Sequence, residues 1–180
     1  MIISRQEISC TELVVPEGSL FDLGEEGCID VAHFAELQGY EELIPPQIAL
    51  ANAYLHPNYR FIVGCLSRRT GKTIIANLIG NIVTLFPNMN ILIISPDYSL
   101  SNISWDLQSK FLDKNDIELT KKNTRDREIH LSNGSMIKLA SAGKANSAVG
   151  RSYALIIFDE AALHEDGEPV FNVVLRPTLD

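Results

Sequence analysis

Phe61-Ile62-Val63-Gly64-Cys65-Leu66-Ser67-Arg68-Arg69-Thr70-Gly71-Lys72-Thr73-Ile74-Ile75-Ala76-Asn77-Leu78-Ile79 is the stretch that decides the fold. An apolar run leads into a tight polar loop, and the loop leads into an apolar helix-like segment that starts at Gly71-Lys72-Thr73. Strand, loop and helix in that order make a cradle for a phosphate chain. Backbone N–H groups at the helix start point at phosphate oxygens, and the lysine ammonium adds a point charge. A threonine directly after the lysine offers a hydroxyl to a Mg²⁺ ion held between phosphates. Ser67, Arg68, Arg69, Thr70, Gly71, Lys72 and Thr73 are therefore expected to hold a nucleoside triphosphate, with Thr73 also reaching the metal. The loop departs from the common pattern at its entrance. Leu66 stands where a glycine usually opens it, and two arginines fill its middle.

Outward from this loop the chain alternates strand and helix. Phe61–Leu66 is expected as strand and Lys72–Leu85 as helix, followed by a turn at Pro87-Asn88. Asn90–Ser95 is a continuous apolar run, the mark of a strand buried on both faces, and Ser99–Leu112 reads as an amphipathic helix. Glu128–Leu131 and Met136–Ala140 flank Ser132-Asn133-Gly134-Ser135, and Asn-Gly between apolar runs is a hairpin signal. Tyr153–Phe158 is another buried strand, and a helix is expected from about Glu168 to Leu175. Upstream, Pro45-Pro46 opens a helix over Gln47–Leu55, where proline suits the first turn. The fold class that follows is α/β, with a parallel sheet flanked by helices. Residues 1–44 read as an acidic leader with short strands or turns, and residues 45–180 as the core domain.

Bulk composition narrows the classes. At 180 residues with 46% hydrophobic content, the chain suits one globular domain. No stretch approaches the roughly 18 apolar residues of a membrane span, and the first residues lack a secretory pattern. Cys10, Cys28 and Cys65 are odd in number and far apart, which fits a reducing cytoplasm; Cys65 is expected as a small buried hydrophobe. A net charge of −8 rules out nucleic-acid binding through the overall field, leaving only local contacts. The basic run Lys121-Lys122-Asn123-Thr124-Arg125-Asp126-Arg127 has no aromatic residue to stack on bases and reads as a solvated loop. The four histidines show no ligand spacing, and Trp105 is expected in the core.

Asp159-Glu160 is the second anchor. It ends a buried strand, and in open α/β sheets ligands sit just beyond the carboxyl ends of strands. The phosphate loop also leaves its strand at that end, so the two motifs are expected to converge. Asp159 would join the Mg²⁺ shell, and Glu160 would orient and polarise an attacking water as general base.

Ser67-Arg68-Arg69-Thr70-Gly71-Lys72-Thr73 resembles the arginine-bearing Walker A loop of the large terminase subunit of tailed bacteriophages. Leu155-Ile156-Ile157-Phe158-Asp159-Glu160-Ala161-Ala162 resembles that family's Walker B. Ile91-Leu92-Ile93-Ile94-Ser95-Pro96 and Leu131-Ser132-Asn133-Gly134-Ser135-Met136-Ile137 are similar to its next strand and its hairpin. The resemblance runs in unbroken order over about residues 45–175. It implies a RecA-like P-loop ATPase that uses ATP and Mg²⁺ to drive double-stranded DNA into a preformed capsid in the host cytoplasm. Portal protein and a small terminase subunit would be its partners, and a homo-oligomeric ring its working form, with no membrane involved. It implies an adenine-sensing role for Gln47 and a γ-phosphate contact for Arg68. Arg69 would do the same or pair with an acidic neighbour, solvation being its simpler role. Arg151 would be a catalytic arginine reaching a neighbouring subunit's nucleotide. The family order there is Arg-Gly, whereas this chain has Gly150-Arg151.

The family's coupling strand and nuclease domain lie beyond its Walker B, and nothing up to Asp180 matches them. The expectation is a sheet incomplete at its C-terminal end, weak turnover by the isolated chain and no nuclease activity. A helicase-like or DNA-repair P-loop ATPase and a noncatalytic module of the same fold remain as alternative readings.

Overall fold

The computed structural model describes residues 2–5, 30–55, 61–148, 150–163 and 172. In chain order the elements are β1 (Ile2–Arg5), α1 (Val31–Leu37), α2 (Pro45–Leu55), β2 (Phe61–Val63), α3 (Lys72–Thr84), β3 (Asn90–Ser95), α4 (Tyr98–Lys114), β4 (Leu119–Asn123), β5 (Glu128–Leu131), β6 (Met136–Ser141) and β7 (Leu155–Phe158). A 3₁₀ segment, Ala142–Ala148, follows β6, and a short one, Ala161–Leu163, follows β7. The helix expected near residues 168–175 lies outside the described residues save for Asn172, and Cys10 and Cys28 lie outside them too.

Among the described residues, one mixed sheet carries all seven strands in the order β2-β1-β7-β3-β6-β5-β4. Its centre is parallel: β3 pairs with β7 on one side and with β6 on the other. Strands β6, β5 and β4 continue as antiparallel neighbours, as the Asn-Gly turn requires. Strand β1 runs antiparallel to both β2 and β7, so β2 and β7 point the same way. Ile2 is level with Val63 on one side and Phe158 on the other. The carboxyl ends of β2 and β7 therefore lie side by side, two strand spacings or roughly 10 Å apart.

The alternation of β3, β6 and β7 divides the apolar core in two. Ile91, Ile93, Ile137, Leu139, Leu155 and Ile157 face the helices, where Leu78, Ile79, Ile82, Phe111 and Leu112 cover them. Leu92, Ile94, Ala140, Ile156 and Phe158 face the other way, against Ala145, Ala148 and Tyr153. Each fully buried Ile or Leu contributes about 1.5–3 kcal/mol. Helix α1 adds Val31, Phe34 and Ala35 to the first cluster. Asp30 caps it by accepting from the N–H groups of Ala32 (2.9 Å) and His33 (3.1 Å). Trp105 is buried as expected.

Three expectations change. The strand before the phosphate loop stops at Val63, so Cys65 sits in the loop and is exposed rather than buried. Lys121-Lys122-Asn123 are not loop: they form the outer strand β4, whose exposed lysines guard a sheet edge against further pairing. The sheet is parallel only at its centre, because β1 enters it antiparallel between β2 and β7.

The hairpin turn does more than reverse the chain. Asn133 Nδ2 donates to the carbonyls of Thr84 (3.0 Å), Leu85 (3.4 Å) and Phe86 (3.3 Å), satisfying the orphan acceptors at the end of α3. Its Oδ1 accepts from the Ser135 N–H at 2.9 Å. Asn133→Ala is expected to destabilise the chain by about 1–3 kcal/mol, read as a lowered urea midpoint with unchanged slope.

Candidate active site

The loop 64–71 leaves β2 and delivers the chain to α3 through two left-handed residues, Arg69 (φ 64°) and Gly71 (φ 72°). Gly71 caps the helix without any side-chain hydrogen bond to its first turn. A helix start of this kind presents free N–H groups and the positive end of the dipole to an anion. Thr70 Oγ1 donates to the Ser67 carbonyl at 2.8 Å and closes the loop on itself. Lys72 Nζ lies 3.1 Å from the Leu66 carbonyl and 3.3 Å from that of Ser67. Leu66 thus serves the lysine through its backbone, which any residue at that position supplies.

The Asp159-Glu160 pair meets this loop directly. Asp159 continues the β7 ladder by donating its N–H to the Ile94 carbonyl (2.9 Å), and it is 5% exposed. Its Oδ2 accepts from Thr73 Oγ1 at 2.7 Å, and its Oδ1 accepts from the Glu160 N–H at 3.0 Å. Glu160 has a left-handed backbone (φ 46°), uncommon for a residue with a Cβ, and its Oε1 lies 3.5 Å from Lys72 Nζ. Residues 86 apart in sequence therefore share one hydrogen bond, and a second contact joins the lysine to the glutamate. A hydroxyl and a carboxylate in contact are hard oxygen donors. They fit Mg²⁺, which takes one or two protein ligands and keeps waters and substrate phosphates for the rest.

The first turn of α3 is braced from α4. Asn77 Nδ2 donates to the Thr73 carbonyl (2.7 Å) and Ser104 Oγ (3.0 Å), and Gln108 Nε2 donates to Asn77 Oδ1 (3.1 Å). This buried polar seam has no sequence signature, because Asn77 and Gln108 sit within helical apolar patterns.

The remaining expected residues fall in three places. Arg68 and Arg69 are exposed on the loop beside the site. Gln47 is only 8% exposed, and its amide is engaged at both ends, by the Ile44 N–H and the Thr70 carbonyl. Arg151 lies away from the loop, toward the far side of the sheet. Its Nη1 donates to Glu128 Oε1 on β5 (3.0 Å) and contacts Met136 Sδ (2.9 Å). Lys138 Nζ donates to the same Glu128 oxygen at 2.7 Å. Burial pushes the Glu128 carboxyl upward. The hydrogen bonds and charges of Lys138 and Arg151 outweigh it and hold the group down at about 2. Burial in turn raises the Tyr153 hydroxyl to about 12. Among the described residues no cluster of three metal-binding side chains occurs, and no helix is long and apolar enough to cross a membrane.

A phosphate-type loop and an acidic pair at the carboxyl ends of like-directed strands, with helices packed on the sheet, define the class: an α/β P-loop protein. The profile of the large terminase subunit, T4likevirus-type, N-terminal region, matches residues 63–179, and the chain belongs to that family. A terminase large subunit of Escherichia phage T5 is 50% identical over 135 residues, covering 75% of this chain and 31% of that protein. The chain thus spans about a third of the length of this curated relative. The fold is also that of the ATPase domain of the Thermus phage P74-26 large terminase. TM-scores are 0.60 for an arginine-to-alanine variant of that domain and 0.57 for the domain itself, both at 21% identity. These alignments cover 81% and 78% of this chain and 63% and 64% of the other.

Proposed function

We propose that this chain is the ATP-binding and ATP-hydrolysing part of a phage DNA-packaging motor, acting on double-stranded DNA with portal protein and a small terminase subunit. The observation that carries this reading is the junction of Thr73 with Asp159 and of Lys72 with Glu160. It supports this reading by bringing together the residues that would cradle the phosphates, hold the metal and act as general base.

In this reading the α3 first-turn amides and Lys72 bind the phosphates, and Ser67, Thr70 and Gly71 shape the loop around them. Lys72 would exchange the Leu66 and Ser67 carbonyls for phosphate oxygens, a stronger, charge-assisted set of partners. Thr73 and Asp159 would hold Mg²⁺, which when bound neutralises charge on the phosphate oxygens. Glu160 accepts the proton of the attacking water. Arg68, on the mouth of the loop, neutralises charge building on the γ-phosphate, and Arg69 stays solvated beside it. Arg151 acts on a neighbouring subunit's nucleotide in a homo-oligomeric ring. The ring works in the host cytoplasm without a membrane partner. The ATPase motifs lie within residues 45–180, while β1 and α1, from residues 1–44, are built into the same sheet and core.

The test is Mg·ATP affinity of the chain against that of Lys72→Ala. Removing one charged donor from a phosphate site costs about 1.5–3 kcal/mol, so a loss of roughly 10–100-fold is expected. Equal affinities in the two proteins would overturn the reading.

A further inference from the structure

We propose that Gln47 is the positioning residue of the phosphate loop, holding the peptide between Thr70 and Gly71 in the orientation that aims the loop's amides at a phosphate. The proposal rests on the nucleotide-binding reading above, and it concerns how the site is built.

Gln47 is the third residue of α2 and reaches back to the residue before the helix. Its Oε1 accepts from the Ile44 N–H at 2.9 Å, the glutamine half of a capping box. That bond fixes the side chain and leaves Nε2 aimed outward. Nε2 donates to the Thr70 carbonyl at 3.0 Å, across 23 residues of sequence. Because the peptide unit is planar and trans, its C=O and N–H point in opposite directions. A Thr70 carbonyl drawn toward α2 turns the Gly71 N–H away from α2. Thr70 Oγ1, bonded to the Ser67 carbonyl, pins the same residue from within the loop.

Gly71 is fitted to this brace. Its φ of 72° favours glycine, and a Cβ built there would collide with Gln47 Nε2. The amide therefore lies directly against the glycine Cα. The support behind it is firm: two prolines precede Gln47 in the first turn, and Leu50, Ala51 and Tyr54 anchor α2 in the core. An amide with its oxygen and one N–H engaged in this way serves the loop rather than a base edge.

The experiment measures the affinity of the chain for Mg·ATP, Mg·GTP and inorganic tripolyphosphate by titration calorimetry, with Gln47→Ala, Gln47→Glu and Lys72→Ala alongside. Gln47→Glu keeps an acceptor for the Ile44 N–H but loses the donor to Thr70, so it separates the brace from the helix cap. Both Gln47 variants are expected to weaken all three ligands alike, Gln47→Ala by about tenfold and Gln47→Glu by more, because its carboxylate also faces the Thr70 carbonyl and the phosphates, with a cooperative unfolding transition retained in both. A loss confined to ATP would overturn the proposal in favour of adenine reading. So would a Gln47→Glu protein that binds tripolyphosphate as the native chain does while Lys72→Ala does not. If the native chain and Lys72→Ala bind all three ligands alike, the nucleotide-binding reading itself fails, and the brace with it.

Discussion

Glu160→Gln is expected to lower the rate of ATP hydrolysis by about 10²–10⁴-fold, the usual worth of a positioned general base. Affinity for Mg·ATP should stay within a few-fold of the native value. The amide keeps the size and shape of the carboxylate but cannot accept a proton from water. The backbone at 160, with φ of 46°, and the N–H bond to Asp159 Oδ1 do not depend on that side chain, so the contact of Asp159 with Thr73 survives the change. The substitution also removes a competitor: in the native site Glu160 Oε1 lies 3.5 Å from the Lys72 ammonium that the phosphates need. Binding should therefore hold or tighten while chemistry stops. Phosphate release under single-turnover conditions, with protein in excess over ATP, reads the chemical step even when cycling is slow. Hydrolysis at the native rate would remove Glu160 from its role.

What could be read from the sequence were the features written locally. Asn90–Ser95 is an unbroken apolar run because β3 is covered on both faces, and the strand has the same bounds as the run. Glu128–Leu131 and Met136–Ala140 declared themselves through Asn133-Gly134, and Gly71-Lys72-Thr73 marked the start of α3. Features that depend on a distant partner were not legible. Helix α1 has only seven residues and owes its place to Phe34 packing on Phe111, ring centroids 6.1 Å apart, which no local pattern reveals. Strand β4 looks like a charged loop because it is a sheet edge, where lysines are chosen against pairing. The four residues of β1 carry no signal of their position between β2 and β7. At the site, the residue types in the loop and the acidic pair were plain. The attachment of Gln47 to Thr70 and of Arg151 to Glu128 was not, since both are long-range hydrogen bonds, one to a backbone carbonyl and one to a carboxylate, made by side chains that also suit solvent.

Glu128→Leu is expected to destabilise the chain by about 3–5 kcal/mol, the cost of stranding a buried charge. Glu128 and Lys138 are 7% and 5% exposed and meet at 2.7 Å, so removing the carboxylate leaves an ammonium with little water to replace it. Lys138→Met in the same protein should restore much of the loss, because an apolar pair of similar volume often matches a buried ion pair. Urea unfolding of the two single variants and the double variant measures this coupling directly. The pH dependence has a defined sign. Glu128 is held at about 2 in the folded chain against an ordinary 4.5. Its contribution is therefore fully present above about pH 4.5 and is lost as pH falls from there through about 2. In Glu128→Leu that part of the acid limb should flatten, whereas an unaltered limb would show that other carboxylates set it. Arg151 contributes less to this cluster, because its side chain is 40% exposed and its ion pair is solvated. Lys138 would still hold the Glu128 carboxylate if Arg151 swung away. The guanidinium is therefore cheap to release, as the proposed reach to a neighbouring subunit's nucleotide requires.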